Sequence, residues 1–208
     1  MNEPAFYRAG CHLDIPTVTV DRPCVFGDPA GATPVFLFGD SRAAHWFPAL
    51  DAIARHNGWK LLVRTKSACQ ASRSLVFNLV LKRAYDECAR WRDGVIEEIH
   101  TTRPAMVVMA SSGNDNGGLV DPDGARLPGT PDVLNRRWAV DWHATFRAIG
   151  SPRTRLVYIE DTPWPGGDAA DSLAEHSRHI AAAPRRPRRR SPARPAAPWS
   201  PTRPAPTT

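Results

Sequence analysis

No apolar run in these 208 residues approaches the roughly 20 needed to cross a bilayer as a helix. Met1 to Ile15 lack the basic start and apolar stretch of a leader peptide, so the chain is expected to carry no export signal of its own. Cysteine is scarce. Cys11, Cys24, Cys69 and Cys88 form no Cys-x-x-Cys unit, and no histidine stands at zinc-finger spacing from a pair. No metal or other cofactor is therefore expected. Acidic residues are missing from Pro184 to Thr208, which hold seven arginines, eight prolines and one large apolar residue, Trp199. That segment explains the net charge of +6, since the remainder is +6 − 7 = −1. The body is close to neutral and gives no electrostatic reason to bind nucleic acid.

What is present suits one ordinary domain with a full core: 42% hydrophobic residues and seven tryptophans. The four cysteines allow three pairings. Sequential pairing, Cys11–Cys24 and Cys69–Cys88, would close two short loops, each worth about 3 kcal/mol by loop entropy. The alternative is four buried free thiols. Bridges imply an oxidising compartment, which together with the missing leader points to a piece of a longer exported or membrane-anchored protein.

Residues 1–34 carry five prolines (Pro4, Pro16, Pro23, Pro29, Pro34) and read as an irregular lead-in containing one cysteine pair. A strand at Val35–Phe38 precedes a helix from about Ala43 to Asn57, with Gly58 as its stop. Trp59–Val63 reads as a second strand. Leu81, Tyr85, Cys88, Trp91, Val95 and Ile99 recur at helical intervals. Ala105–Ala110 is a continuous apolar run, typical of a strand covered on both faces. Leu134, Trp138, Trp142, Phe146 and Ile149 mark a third helix, and Arg155–Ile159 a fourth strand. Alternating strands and helices predict a three-layer α/β/α fold around a parallel sheet over residues 35–180. Residues 181–208 are expected to be a disordered Pro/Arg-rich tail.

Ser41 falls between an apolar strand and an amphipathic helix. Ligands of open α/β sheets collect there, and unpaired backbone N–H groups favour developing negative charge. A hydroxyl in that position suits a nucleophile. Asn114 follows a buried strand in a Gly-Asn-Asp turn, where its amide would help hold an oxyanion. Either triplet alone also fits an ordinary turn.

Gly39-Asp40-Ser41 and Gly113-Asn114-Asp115, each after a strand, resemble the SGNH/GDSL hydrolase superfamily. The likeness is closer to the SGNH domains fused behind membrane acyltransferase-3 domains, which O-acylate bacterial surface glycans. Shared features are Gly10-Cys11-His12, the Cys24 to Asp28 stretch, the Trp46 to Leu50 helix start and the Thr65 to Cys69 segment. The Tyr85 to Arg92 stretch and Asp161-Thr162-Pro163 complete the set, over roughly residues 9–180. The resemblance implies a flavodoxin-like fold and an extracytoplasmic location. It also implies acyl transfer through Ser41 to a glycan hydroxyl, or to water in an esterase, with Asn114 as an oxyanion donor. The partner it implies is a membrane acyltransferase-3 domain.

Three departures from that pattern stand out. Arg42 replaces the usual histidine after the serine. No glycine between Trp59 and Arg73 matches the superfamily's glycine oxyanion donor. No aspartate is followed at the third position by histidine, the family's base motif. His45, His143, His176 and His179 stand at unrelated spacings and are read as structural. The last strand and helix are expected to be missing, as if a shifted reading frame had supplied the tail. The competing accounts are a catalytically inactive remnant and a binding protein that uses its basic tail.

Overall fold

The computed structural model describes residues 5–113, 117–161 and 174–175. The chain divides into two units, Met1–Asp161 and Thr162–Thr208, and the first contains the sheet and its helices. That sheet is built from β1 (His12–Leu13), β2 (Val25–Gly27), β3 (Thr33–Gly39) and β4 (Trp59–Lys66). To these are added β7 (Met106–Ala110) and β8 (Arg155–Ile159), in the order β1-β4-β3-β7-β8. All pairs along that path are parallel, while β2 runs antiparallel to β4. A two-stranded hairpin of β5 (Phe77–Asn78) and β6 (Arg83–Ala84) stands apart. The helices are a short α1 (Ala5–Arg8), α2 (Ser41–Asn57), α3 (Asp86–Thr102) and α4 (Pro131–Ile149).

Period-two alternation divides the core between two faces. Val35, Leu37, Leu61, Val63, Val108 and Ala110 pack with Ala43, Ala44 and Phe47 of α2. Phe36, Phe38, Val107 and Met109 face the other way, onto Trp91, Val95 and Ile99 of α3 and Trp142 of α4. Helices thus cover both faces, as expected of a parallel sheet. The expectation of a missing last strand and helix falls outside the described residues, as does the character of the 181–208 tail.

The strands at Val35, Trp59, Ala105 and Arg155 form where the apolar runs predict. The helix of residues 81–99 starts later than its periodicity suggests. Leu81 lies in the β5–β6 turn and Tyr85 is the N-cap, with Asp86 and Glu87 in the first turn, where acids suit the helix dipole. In the lead-in, two short segments join the sheet despite the prolines. Both β1 and β2 pair with β4, at different heights along it. The Cys11–Cys24 disulfide ties these two segments together, and Val63 N–H donates to Cys24 O at 3.0 Å. Cys69–Cys88 is also bonded, so the sequential pairing is the one adopted and no cysteine is free.

A buried cation fastens the rest of the lead-in. Lys66 is fully buried, and its Nζ donates to the carbonyls of Asp14, Ile15 and Thr17 at 2.6, 2.8 and 2.5 Å. Three acceptors match the three ammonium protons. Burial pulls its pKa down to about 8. Lys66→Met would strand three carbonyls beneath the sheet edge and is expected to cost about 2–4 kcal/mol. Lys60→Met, at a partly exposed position of the same strand, should stay within about 0.5 kcal/mol. Equilibrium urea unfolding of both variants checks the contrast.

Candidate active site

The site forms where the sheet order reverses. β3 is flanked by β4 and β7, so loops leaving adjacent strands part at its carboxyl end. His12, Thr65, Gly39, Ala110 and Ile159 lie in one register row across that end of the sheet. Gly39 closes β3 at φ 152°, and a Cβ there would stand 2.0 Å from Ala110 O. Only glycine lets the two strands and the helix start come so close.

Asp40 follows as N-cap of α2. One carboxylate oxygen accepts from Arg42 N–H at 2.8 Å, and the other from Ser112 N–H and Oγ–H at 2.8 and 2.7 Å. The group is fully buried. Burial raises its pKa, against the opposing pull of the Ser112 and Arg42 hydrogen bonds. One side chain therefore joins the start of α2 to the loop leaving β7.

Ser41 is the first residue of α2 and partly exposed. As the first of the helix's unpaired donors, its N–H meets no acceptor among the described residues. None of them hydrogen-bonds its Oγ. Arg42 pairs with Asp161, two residues after β8, with Nε 3.1 Å from the carboxylate. His45 is exposed one turn along α2, and His143 shares α4 with Asp141, as the sequence suggested. Asn114 lies outside the described residues, as do His176 and His179. The adjoining Ser111-Ser112-Gly113 segment is held firmly. Ser111 Oγ accepts from Ala71 N–H at 2.9 Å, and Gln70 Nε2 donates to Ser112 O and Gly113 O at 3.1 and 2.6 Å.

The loop after β4 is the third wall. Cys69–Cys88 pins it to α3, and buried Arg92 donates to the carbonyls of Gln70 and Ser72. Thr145 of α4 accepts from Arg73 N–H at 2.9 Å and donates to Ala71 O at 3.0 Å. Ala68 in this loop has φ 53°, the left-handed conformation glycine adopts freely, and its N–H meets no acceptor among the described residues. The stretch without glycine thus makes a glycine-like turn with alanine. Sequence reading could not find it, because alanine gives no cue for positive φ.

His12 is the other residue that sequence reading left without a role. Its Nδ1 lies 3.0 Å from Thr65 Oγ1 and its Nε2 3.1 Å from Ser67 Oγ. The ring packs against Phe6 and Tyr7. Burial, helped by Lys66 and His45, lowers its pKa to about 4. No cluster among the described residues could hold a metal ion.

A three-layer α/β protein with a serine opening the helix after its central strand belongs to the flavodoxin-like class of α/β folds. The model of the SGNH domain fused to AT3 domains matches residues 10–203, and the chain belongs to that family. No curated protein matches the sequence. Among solved structures, the chain is similar to the lipopolysaccharide acetyltransferase periplasmic domain of Salmonella ser. Paratyphi A. The TM-score is 0.55 and the identity 18%, over 76% of this chain and 56% of that one. The chain thus spans just over half the length of that domain, and the likeness is one of fold.

Asp40→Ala removes a cap worth about 1 kcal/mol and strands the buried Ser112 N–H. The expected loss is about 2–3 kcal/mol by urea unfolding, against about 1 kcal/mol for Ser112→Ala. A second expectation concerns pH. His12 binds its proton near 6.5 when unfolded but only near 4 when folded. Its contribution is complete above the unfolded value and is lost as pH falls from 6.5 toward 4. Stability measured at pH 7 and pH 4.5 should therefore drop less in His12→Gln than in the parent chain.

Proposed function

We propose that this SGNH domain transfers an acyl group, acetyl in the simplest case, through Ser41 to a hydroxyl of a cell-surface glycan. The observation that carries this reading is the setting of Ser41. Its hydroxyl opens a helix whose first N–H is unpaired among the described residues, at the sheet's switch point, in a family fused to AT3 domains. Oγ would bond to the acyl carbonyl carbon as the bond to the donor oxygen breaks. The Oγ proton would pass to that leaving oxygen, since no Asp-x-x-His base is present in the sequence. The Ser41 N–H and the Asn114 amide are the donors we assign to the resulting oxyanion. Reversal of the step onto a sugar hydroxyl completes transfer, and onto water completes hydrolysis.

The similar Salmonella structure is described as a lipopolysaccharide acetyltransferase periplasmic domain. By analogy we place this chain outside the cytoplasm, with surface glycan as acceptor and a membrane acyltransferase-3 domain as acyl source. Two disulfides suit such a compartment. No helix among the described residues is long and apolar enough to cross a membrane.

The test is acylation itself. After incubation with p-nitrophenyl acetate and acid quenching, the tryptic peptide ending at Arg42 should carry one acetyl group on Ser41. Ser41→Ala should lower acetylation of that peptide by at least about tenfold. An unmodified peptide in the parent chain, or equal modification in the variant, removes Ser41 from the mechanism.

A further inference from the structure

A hydroxyl–imidazole–hydroxyl chain stands on the α2 face of the sheet, one strand away from Ser41. Leu61 and Val63 face α2, so period-two alternation directs Thr65, and Ser67 just beyond the strand end, to the same side. His12 is the register partner of Thr65 and lies beside them. One tautomer suits a base. Thr65 Oγ1 lies 3.4 Å from Cys11 O and 3.0 Å from His12 Nδ1; when its proton goes to the carbonyl, it accepts from His12 Nδ1–H. In that tautomer Nε2 is the bare lone pair, 3.1 Å from the Ser67 hydroxyl that it would accept from. Nucleophile, base and orienting group are all within hydrogen-bond reach.

The serine is also fixed and reachable. Its N–H donates to Leu13 O at 2.8 Å, and its carbonyl accepts from Tyr85 Oη–H at 2.9 Å. Its side of the turn is partly exposed. The next residue is Ala68, left-handed and with its N–H unclaimed by the described residues. In nucleophile elbows the N–H following the serine serves the oxyanion.

We propose that Ser67 is a second acyl-accepting nucleophile of this domain, with His12 as its base and Thr65 as a positioning residue. The substrate class is a small activated carboxylic ester. Ser67 Oγ bonds to the carbonyl carbon while its proton passes to His12 Nε2. The bond to the leaving oxygen then breaks, and that oxygen takes the proton from the imidazolium. The acyl-serine is released by water, whose proton returns through the same nitrogen. Burial foremost, then the neighbouring Lys66 and His45, disfavours protonation of His12, whose pKa falls to about 4. The imidazole is therefore in its accepting form throughout the neutral range.

The experiment uses the full chain and a fluorophosphonate probe, which phosphonylates activated serines. Trypsin cuts after Arg42 and Lys66, so Ser41 and Ser67 fall on different peptides and each assignment is scored separately. The expected adduct is on Ser67, located by fragmentation because Ser72 shares that peptide. Its rate of formation should fall at least about tenfold in His12→Gln and vanish in Ser67→Ala. It should also decline as pH is lowered from 7 toward 4, following protonation of His12. Thr65→Val keeps the serine and imidazole but removes the orienting group, and should slow the adduct with a shifted pH profile. Unchanged circular dichroism of each variant confirms that folding is intact. Labelling confined to the Ser41 peptide overturns the proposal, as does a Ser67 adduct undiminished in His12→Gln. A folded parent chain with no adduct on Ser67 overturns it too. Label on Ser41 that depends on His12 would reassign the imidazole to the first serine and overturn it equally.

Discussion

The whole carboxyl edge of the sheet depends on how Asp40 is used. Its carboxylate is buried and accepts three hydrogen bonds, one from the helix it caps and two from the loop beyond β7. A carboxylate in that position costs desolvation energy, and its raised pKa reflects that cost. Three donors offset the cost only while all are in place, so the arrangement works as a geometric lock. Ser41 is the next residue and takes its orientation from that lock. Gly39 on the other side removes the only side chain that would prop strand and helix apart. The Gly-Asp-Ser turn is therefore two structural residues that present a third.

The loops around this edge have little regular structure, and buried cations clasp them in its place. Lys66 gathers three carbonyls of the lead-in. Arg92 gathers two from the loop after β4. Burial lowers both pKa values, to about 8 and about 10. The carbonyl oxygens supply partial negative charge, and with a pKa of about 8 Lys66 keeps its own charge at neutral pH and below. Each disulfide falls beside one of these clasps: Cys11–Cys24 by the lead-in and Cys69–Cys88 by the second loop. Covalent closure limits the unfolded chain while the cation arranges the folded one.

Much of this was legible in the sequence. The apolar runs at Val35, Trp59, Ala105 and Arg155 became parallel strands, and the helix faces at Ala43 and Leu134 became α2 and α4. Strong periodicity over long segments explains that success. The difficulties lay where elements are short or one residue acts alone. β1 spans only His12 and Leu13, too few to show alternation, so nothing announced that His12 would stand beside Thr65. Leu81 and Tyr85 extended a helical spacing by coincidence, because a hairpin turn and a cap also bury residues at such intervals. Asp40 carried a usable signal, since an aspartate before a helical pattern is a standard N-cap cue. Its second role, holding Ser112, depends on tertiary contact that no local pattern records.

On the two proposals, Ser41 and Ser67 would divide between them what a single catalytic serine usually has. Ser41 has the electrostatic half: a helix start, an N–H unclaimed by the described residues and a position at the switch point. Arg42 beside it pairs with Asp161, with Nε 3.1 Å from the carboxylate. Ser67 would have the proton-transfer half, with the His12 imidazole 3.1 Å from its hydroxyl. Gly39, two residues before Ser41, is the register partner of Thr65, two residues before Ser67, and His45 lies close enough to influence His12 electrostatically. On these proposals, which half limits the rate would decide the chemistry of this edge. A strongly activated ester needs little oxyanion help and would favour the serine with a base. A poor leaving group needs the transition-state charge held, and would favour the serine at the helix terminus.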